Sequence, residues 1–524
     1  MVYQARRFSR KREGIQIKLD FAKLNPNLDP VDKPLPYKIT MCRSGRYLHY
    51  FLIAIVGILI FLPNSFSFFN SDDFVWLKNS QKLSFDSISH FSVNYEPVLK
   101  FRPLVHFFFQ LLYTFFGLNP LGYHLTGLIF HLLNALIFYT LLLKFTSDHL
   151  VSFLSSLIFV SHFAQEETLF WISALSSPMV TFFYLCSVWS LWKYLTNKRT
   201  GFYFLSFLLC GLALLSKEDG VTIFLGLFLL VFFKSAGDFT FRFKKALKLS
   251  SPFLGLTILY SGIRYFTVPD YIMSKFLTYN PVVMIKNSCY FGISFLFPVR
   301  LFFDLVGFEV HSYLNNIIQF RLNNFWVILV LLLISLVFLL MVRYFLRKKI
   351  FGFKLGLGLI LLGILPYLLV NGNGQRFLYF PSLGFSLALA SLLLYFLDRI
   401  KKLNIINLLL VLMLVFNGAI LYKRSMWWRK AGKVCSEVIN KAGKIILSAP
   451  ENSEFYFANL PQRMNGAYTF HTGFEEALSL FYPQTKTKVY DLGQLEDEEL
   501  EALRDSSKGN IYIYKGRKFE RALQ

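Results

Sequence analysis

An all-α polytopic membrane domain of about eleven spans, followed by a small α/β domain at the C-terminus, is the fold class that three features of the sequence predict. Apolar runs of bilayer-crossing length recur along the chain, basic residues gather in alternate connecting segments, and the composition turns polar from Tyr422 onward. With 55% hydrophobic and 16% charged residues in 524, the chain carries more apolar surface than a soluble core of this length uses. A net charge of +24 suggests nucleic acid in a soluble protein. Here the charge follows the positive-inside pattern, which excludes that partner and leaves membrane lipids.

The N-terminal segment, residues 1–47, holds Arg6, Arg7, Arg10, Lys11 and Arg12 among other basic residues and is expected to stay cytoplasmic. It is too long and polar for a cleaved signal peptide, so the first apolar run reads as a retained span. The membrane domain is expected over residues 48–421, with spans near Leu48–Leu62, Leu121–Leu143, Val151–Phe163, Ile172–Leu195, Phe202–Leu215, Val221–Phe233 and Ser251–Phe266. The first outer loop is residues 63–120. Arg242, Lys244, Lys245 and Lys248 fall in an inner connector. The stretch Val282–Pro298 reads as interfacial or re-entrant, because a crossing there would put Arg343, Arg347, Lys348, Lys349 and Lys354 outside. Trp326–Val342, Leu355–Val370, Leu378–Leu397 and Ile405–Leu421 complete the spans and leave the C-terminus extracytoplasmic. Gly352, Gly356 and Gly358 read as close helix packing.

Residues 422–524 form the second domain. Trp427 and Trp428 sit where interfacial aromatics are expected. A basic helix over Arg429–Ile446, strands at Glu454–Ala458, Lys488–Asp491 and Asn510–Tyr514, a helix over Phe474–Phe481 and an acidic helix over Glu496–Arg504 make a small α/β pattern. The five cysteines are scattered, and neither a zinc motif nor a nucleotide loop is visible.

Charge also collects where plain connecting turns need none. The first outer loop carries Asp72-Asp73. Adjacent aspartates repel, so one is a candidate base with a raised pKa; the pair equally suits a divalent cation or the cap of a helix starting at Phe74. On the same expected face lie Ser161–Glu167 with His162 and Glu166, Ser216–Asp219 with Lys217 and Glu218, and Asn371–Arg376 with Gln375. Together these junctions describe a pocket with carboxylates on one side and Lys217 and Arg376 on the other, a setting for an anionic leaving group. Arg376 suits two phosphate oxygens at once; Lys217 acts as a point charge. His124 and His131, seven apart on one helix face, either line this pocket or are buried and hydrogen-bonded. Asn465–Tyr468 and His471–Gly473 read as turns near a helix start or as acceptor contacts.

These motifs resemble a known family, the membrane-embedded GT-C glycosyltransferases, and within it the protein O-mannosyltransferase-like and transmembrane-and-tetratricopeptide O-mannosyltransferases. The matching pieces are Asp72-Asp73, Arg102-Pro103-Leu104, Asn119-Pro120-Leu121-Gly122-Tyr123-His124 with His131 and Asn134, the stretch His162–Ile172, Leu215-Ser216-Lys217-Glu218, and the run Arg376–Phe385. The resemblance implies a GT-C-like fold, a polyprenyl-phosphate-linked sugar donor, and an acceptor hydroxyl on protein, lipid or glycan. It implies Asp72 or Asp73 as base, inversion at the sugar, and substrate contacts from Arg102, His124, His162, Glu166, Lys217, Glu218, Gln375 and Arg376. A divalent cation, if used, would sit at Asp72 and Asp73. The tetratricopeptide repeats are absent and the tail is a different module, which points to a bacterial cytoplasmic membrane and leaves the acceptor open. Two other readings stand beside this one: a polysaccharide polymerase or ligase using lipid-linked glycan, and a secondary transporter. The span centres lack Asp, Glu, Lys and Arg, which weighs against the transporter.

Overall fold

The computed structural model describes residues 43–81, 101–268, 277–299, 301, 342–348, 350–370, 372, 374–400, 403–450, 452–485, 487–495 and 510–521. The helices run α1 Arg43–Phe61, α2 Asp72–Asn79, α3 Pro103–Phe116, α4 Pro120–Thr146, α5 His149–Ser161, α6 Glu166–Phe170, α7 Ser176–Asn197, α8 Thr200–Ser216, α9 Ile223–Lys234, α10 Phe239–Thr267, α11 Pro281–Leu296, α12 Phe351–Leu368, α13 Pro381–Ile400 and α14 Leu403–Leu447. Their starts follow local chemistry. Proline opens α3, α4, α11 and α13, where a missing N–H costs nothing. Asn119 accepts from the Leu121 N–H at the head of α4, and Asp148 accepts from Leu150 and Val151 at the head of α5.

Among the described residues, six helical stretches are long and apolar enough to cross a membrane: Gly45–Phe66, Pro120–Thr146, Ile172–Asn197, Phe239–Thr267, Phe351–Leu368 and Leu408–Leu447. Pro103–Phe116, His149–Ser161, Thr200–Ser216 and Pro381–Leu397 are shorter apolar helices. The count of eleven full spans is therefore not reproduced, and the expected span Trp326–Val342 lies outside the described residues apart from Val342. Two boundaries also move. Helix α10 begins at Phe239, so Arg242, Lys244, Lys245 and Lys248 belong to its first turns and not to a connector. Helix α14 is continuous for 45 residues, so the expected last span and the basic helix after Tyr422 are one rod. Helix α3, inside the first outer loop, was not expected; its exposed Phe107, Phe115 and Phe116 give it an apolar outer side.

The bundle is tied across helices by buried polar side chains. Asn134 on α4 donates to the Pro178 carbonyl and to the Tyr379 hydroxyl, and the ring of His131 bonds Tyr379 on one side and the Val160 carbonyl on the other. Those partners satisfy groups that would each be costly alone in hydrocarbon. Helices α12 and α13 meet at backbone distance. A Cβ added at Gly356 would lie 2.6 Å from the Gly384 carbonyl oxygen, and one at Gly384 would lie 2.4 Å from that of Gly356. Gly352 abuts Ser391 in the same seam. Gly358 meets nothing within 4 Å, so it takes no part in the packing.

Beyond α14 comes a four-stranded sheet of order β4-β1-β5-β6, from β1 Glu454–Ala458, β4 Lys488–Asp491, β5 Asn510–Lys515 and β6 Lys518–Arg521. Strand β1 pairs parallel with β4 and β5, while β6 turns back antiparallel to β5. Alternation sets the faces: Phe457 packs on Phe474 of α15 (Phe474–Phe481), and Tyr456 stacks on Tyr490 on the other side. A two-stranded hairpin, β2 Arg463–Met464 and β3 Ala467–Tyr468, turns through Asn465 and Gly466, both at positive φ. The strands expected at Glu454–Ala458 and Lys488–Asp491 and the helix at Phe474–Phe481 occur with those bounds; Asn510–Tyr514 gains Lys515. Strand β6 and the hairpin were not expected, and the acidic helix Glu496–Arg504 lies outside the described residues.

Placing a side chain in the α12–α13 seam should separate the helices. Gly384→Leu is expected to lower stability by roughly 1–3 kcal/mol or more, while Gly358→Ala changes it by less than about 0.5 kcal/mol, as read by thermal unfolding in nanodiscs.

Candidate active site

Helix α2 starts at Asp72, two residues earlier than the expected start at Phe74, and its N-cap is Ser71 at φ 50° and ψ −123°. A non-glycine residue in that region carries strain of about 1–3 kcal/mol. The two carboxylates that follow this corner differ in burial and in partners. Asp73 turns inward and is 1% exposed; it accepts from the backbone N–H of Asn70 at 3.0 Å, from that of Ser173 at 2.8 Å, and from the Ser173 hydroxyl. Burial pushes its carboxyl up from 3.8 to about 7 against the pull of the Ser173 and Asn70 bonds, and the Asp72 charge adds to the rise. Asp72 stays half-buried at the rim, where its Oδ1 accepts from the Thr472 hydroxyl at 2.6 Å. Among the described residues no three His, Cys, Asp or Glu side chains come together to hold a metal.

Thr472 belongs to the C-terminal module. Its hydroxyl also lies 3.3 Å from that of Ser71. Gly473, at φ +87°, lets the module's chain press against the corner: a Cβ there would stand 2.5 Å from the Ser71 carbonyl oxygen. The stretch His471–Gly473 is therefore a contact to Asp72 and Ser71 as well as a turn.

The junction between α5 and α7 supplies the next layer. Glu166 forms an ion pair with Arg424 of α14, and the two side chains are 3% and 0% exposed. Arg424 also donates to the Asn465 carbonyl of the hairpin turn. Glu167, fully buried, accepts from Nη1 of Arg376 at 2.6 Å and from its backbone N–H at 3.3 Å. The Arg376 guanidinium remains 24% exposed and lies 5.1 Å from the centre of the Trp171 ring. The Glu167 and Asp72 carboxylates both contribute negative potential at it.

A second charged group gathers beside these. Glu218 is clamped between Arg102, whose Nη2 donates at 2.7 Å, and Arg264, whose Nη1 donates at 2.6 Å. Burial works to raise the Glu218 carboxyl, but the two guanidiniums outweigh it and hold it well below the usual range. Lys217 is 2% exposed and donates to the Ser177 hydroxyl at 2.8 Å, to the Tyr367 hydroxyl at 2.7 Å and to Asp219 at 3.1 Å. Burial lowers its pKa. Tyr367 in turn donates to Asp219. All three ammonium protons are thereby engaged within the protein. Arg102, Lys217 and Arg264 face Glu218 and Asp219, so the group carries one surplus positive charge.

These groups meet at the head of α7. Ser173 bonds Asp73, Ser176 accepts from Arg102 at 3.1 Å, and Ser177 accepts from Lys217 while donating to the Arg376 carbonyl at 3.4 Å. Of the expected site residues, Asp72, Arg102, Glu218 and Arg376 sit together with exposed atoms. Asp73, Lys217 and Glu166 join them as buried partners. His124 is buried; His162 caps the Ala164 N–H and bonds the Phe295 carbonyl, and Gln375 is buried nearby. Sequence reasoning missed Ser173, Ser176, Arg264, Tyr367 and Arg424; Glu167, Asp219 and Thr472 lay in the junctions and turn it named, without being singled out. The serines stand one helical turn apart or less beside proline, a signal for a polar helix head; Arg264 and Arg424 each interrupt an apolar run near its end. Trp428, expected at the interface, is fully buried and stacks on Trp171 at 6.4 Å.

No family model matches the chain. Over 128 residues, 24% of the chain, it is 30% identical to Protein O-mannosyl-transferase TMTC2 of Mus musculus and of Homo sapiens. The match spans 15% of the length of these relatives. Among solved structures, ArnT from Cupriavidus metallidurans bound to undecaprenyl phosphate is 13% identical at a TM-score of 0.40, over 90% of this chain and 93% of its own. AglB, the oligosaccharyltransferase of Archaeoglobus fulgidus, is 12% identical at 0.42, over 85% and 65%. Both are loose likenesses.

Two outcomes follow from the geometry. Because the folded pKa of Asp73 is raised, the folded state binds its proton more tightly, and stability falls as pH rises from about 4 to about 7. Asp73→Asn should flatten that slope in thermal unfolding across the same window. Arg424→Leu strands a buried Glu166 and should cost about 3–5 kcal/mol, and adding Glu166→Leu should restore most of the loss in a double-mutant cycle.

Proposed function

We propose that the chain is a GT-C glycosyltransferase of the membrane, moving a sugar from a polyprenyl-phosphate donor to an acceptor hydroxyl at the face where Asp72 lies. The observation that carries this reading is Asp72 itself, a half-buried carboxylate at a strained corner, oriented by Thr472 and set in the field of Arg376. The short match to a protein O-mannosyl-transferase and the motif resemblance support it.

In this reading Asp72 accepts the proton of the acceptor hydroxyl as its oxygen attacks the anomeric carbon. The bond from that carbon to the lipid-phosphate oxygen breaks, the electron pair leaves with the phosphate, and attack from the opposite side inverts the centre. Arg376, Arg102 and Arg264, which keep exposed surface, stabilise the departing anion. Lys217 has no proton left for a phosphate and supports this group through Tyr367 and Asp219. Asp73 holds the corner to Ser173 and does not touch substrate.

The test is transfer of radiolabelled sugar from polyprenyl-phosphate donors in membranes carrying the chain. Asp72→Asn should lose about 10²–10⁴-fold in rate with the fold intact. Thr472→Val should lose roughly tenfold, and Asp73→Asn should keep measurable transfer. Absence of transfer by well-folded wild type with every donor tried overturns the proposal.

A further inference from the structure

Helix α2 carries Asp72 at one end and Lys78 at the other, about 9 Å further along its axis. At that second end a cavity of about 670 Å³ opens between α2, the end of α14 and α15. Its size falls in the range of small-ligand sites, about 300–1,000 Å³. The lining carries both kinds of group. Ile446 and the ring of Tyr482 are apolar, and Tyr482 is fixed because its ring packs directly on Gly443, where an added Cβ would stand 2.0 Å away. Lys78, Glu475, Glu476, Ser479 and Thr487 add polar groups to the same lining. Glu475 is already engaged by the Asp491 N–H at 3.0 Å, which leaves Glu476 as the carboxylate for a ligand. The Thr487 hydroxyl is buried with no hydrogen-bond partner among the described residues, a donor and acceptor that a ligand would satisfy.

An aromatic ring beside carboxylate, ammonium and hydroxyl groups matches a pyranose, whose C–H face is apolar and whose rim is all hydroxyls. A lipid tail would leave Glu476 and Lys78 desolvated, and a strongly anionic ligand would meet Glu475 and Glu476. We infer that this cavity binds a neutral saccharide, the part of the acceptor that lies beyond the hydroxyl being glycosylated. The placement rests on the glycosyltransferase reading only for the word acceptor. Thr472 and Gly473 lie against Asp72 and Ser71 and lead directly into α15, which runs along the cavity, so one continuous segment joins Asp72 to this site.

The experiment is saturation-transfer NMR on the full chain in nanodiscs, with neutral hexose and N-acetylhexosamine oligosaccharides as probes and no donor present. Wild type should bind saturably. Glu476→Gln should weaken binding roughly tenfold or more, and Ser479→Trp, which fills the cavity, should abolish it. Both variants are checked for wild-type unfolding temperature; should Ser479→Trp misfold, the Glu476→Gln effect decides. No binding of any neutral saccharide by wild type, binding unchanged in the variants, or preference for a hydroxyl-bearing peptide overturns the inference. Saccharide binding without sugar transfer by wild type would retain the site and remove the transferase reading instead.

Discussion

The buried ion pair between Glu166 and Arg424 is the constraint on which the remaining architecture hangs. Two charges taken out of water are tolerated only when each finds the other, so the pair accepts one register of α14 against the junction that precedes α7. A slip of one residue along the helix would turn Arg424 away by roughly 100° and leave Glu166 alone. The same register brings Gly432 against the backbone of Phe68, where an added Cβ would stand 2.9 Å from its nitrogen. It also carries the C-terminal module to the Ser71 corner. The pair does for position what apolar contacts do for stability.

Around it the acidic and basic residues are sorted by depth. Asp73, Glu167 and Lys217 are buried and engaged within the protein, while Asp72, Arg376 and Arg264 reach the rim. The head of α7 keeps the two levels in fixed relation, because Ser173, Ser176 and Ser177 each bond a different charged group. Small hydroxyls suit that work: they accept from a cation or donate to a carboxylate without adding charge in a setting already dense with it. The surplus positive charge left at the Arg102–Glu218–Arg264 group is then exposed to whatever anion approaches.

Much of the small module was legible, since Glu454–Ala458 and Lys488–Asp491 alternate with a period of two and the Phe474–Phe481 helix follows a glycine at positive φ. Hairpin β2–β3 was half legible: Asn465-Gly466 reads as a turn, but two-residue strands are too short for a pattern. Strand β6 follows Gly516-Arg517, a weaker turn signal than Asn-Gly. In the membrane domain apolar content marks the presence of helices and not their ends. Arg242 and its neighbours looked like a connector because charge was read as a boundary, whereas a helix extends into the headgroup region with basic side chains attached. At the candidate site the residue types and the junctions they occupy were visible. Which of two adjacent aspartates faces inward was not, because that depends on the unusual φ of Ser71 and on residues a hundred or more positions away.

Helix α14 has a mechanical side. Its 45 residues make a rod roughly 68 Å long, about twice the thickness of the hydrocarbon layer. One part is apolar enough to cross a membrane and the other leads to the module that reaches Asp72. With Arg424 held by Glu166 and Thr472 bonded to Asp72 at 2.6 Å, the rod acts as a ruler: its length fixes how far the module stands from the apolar end.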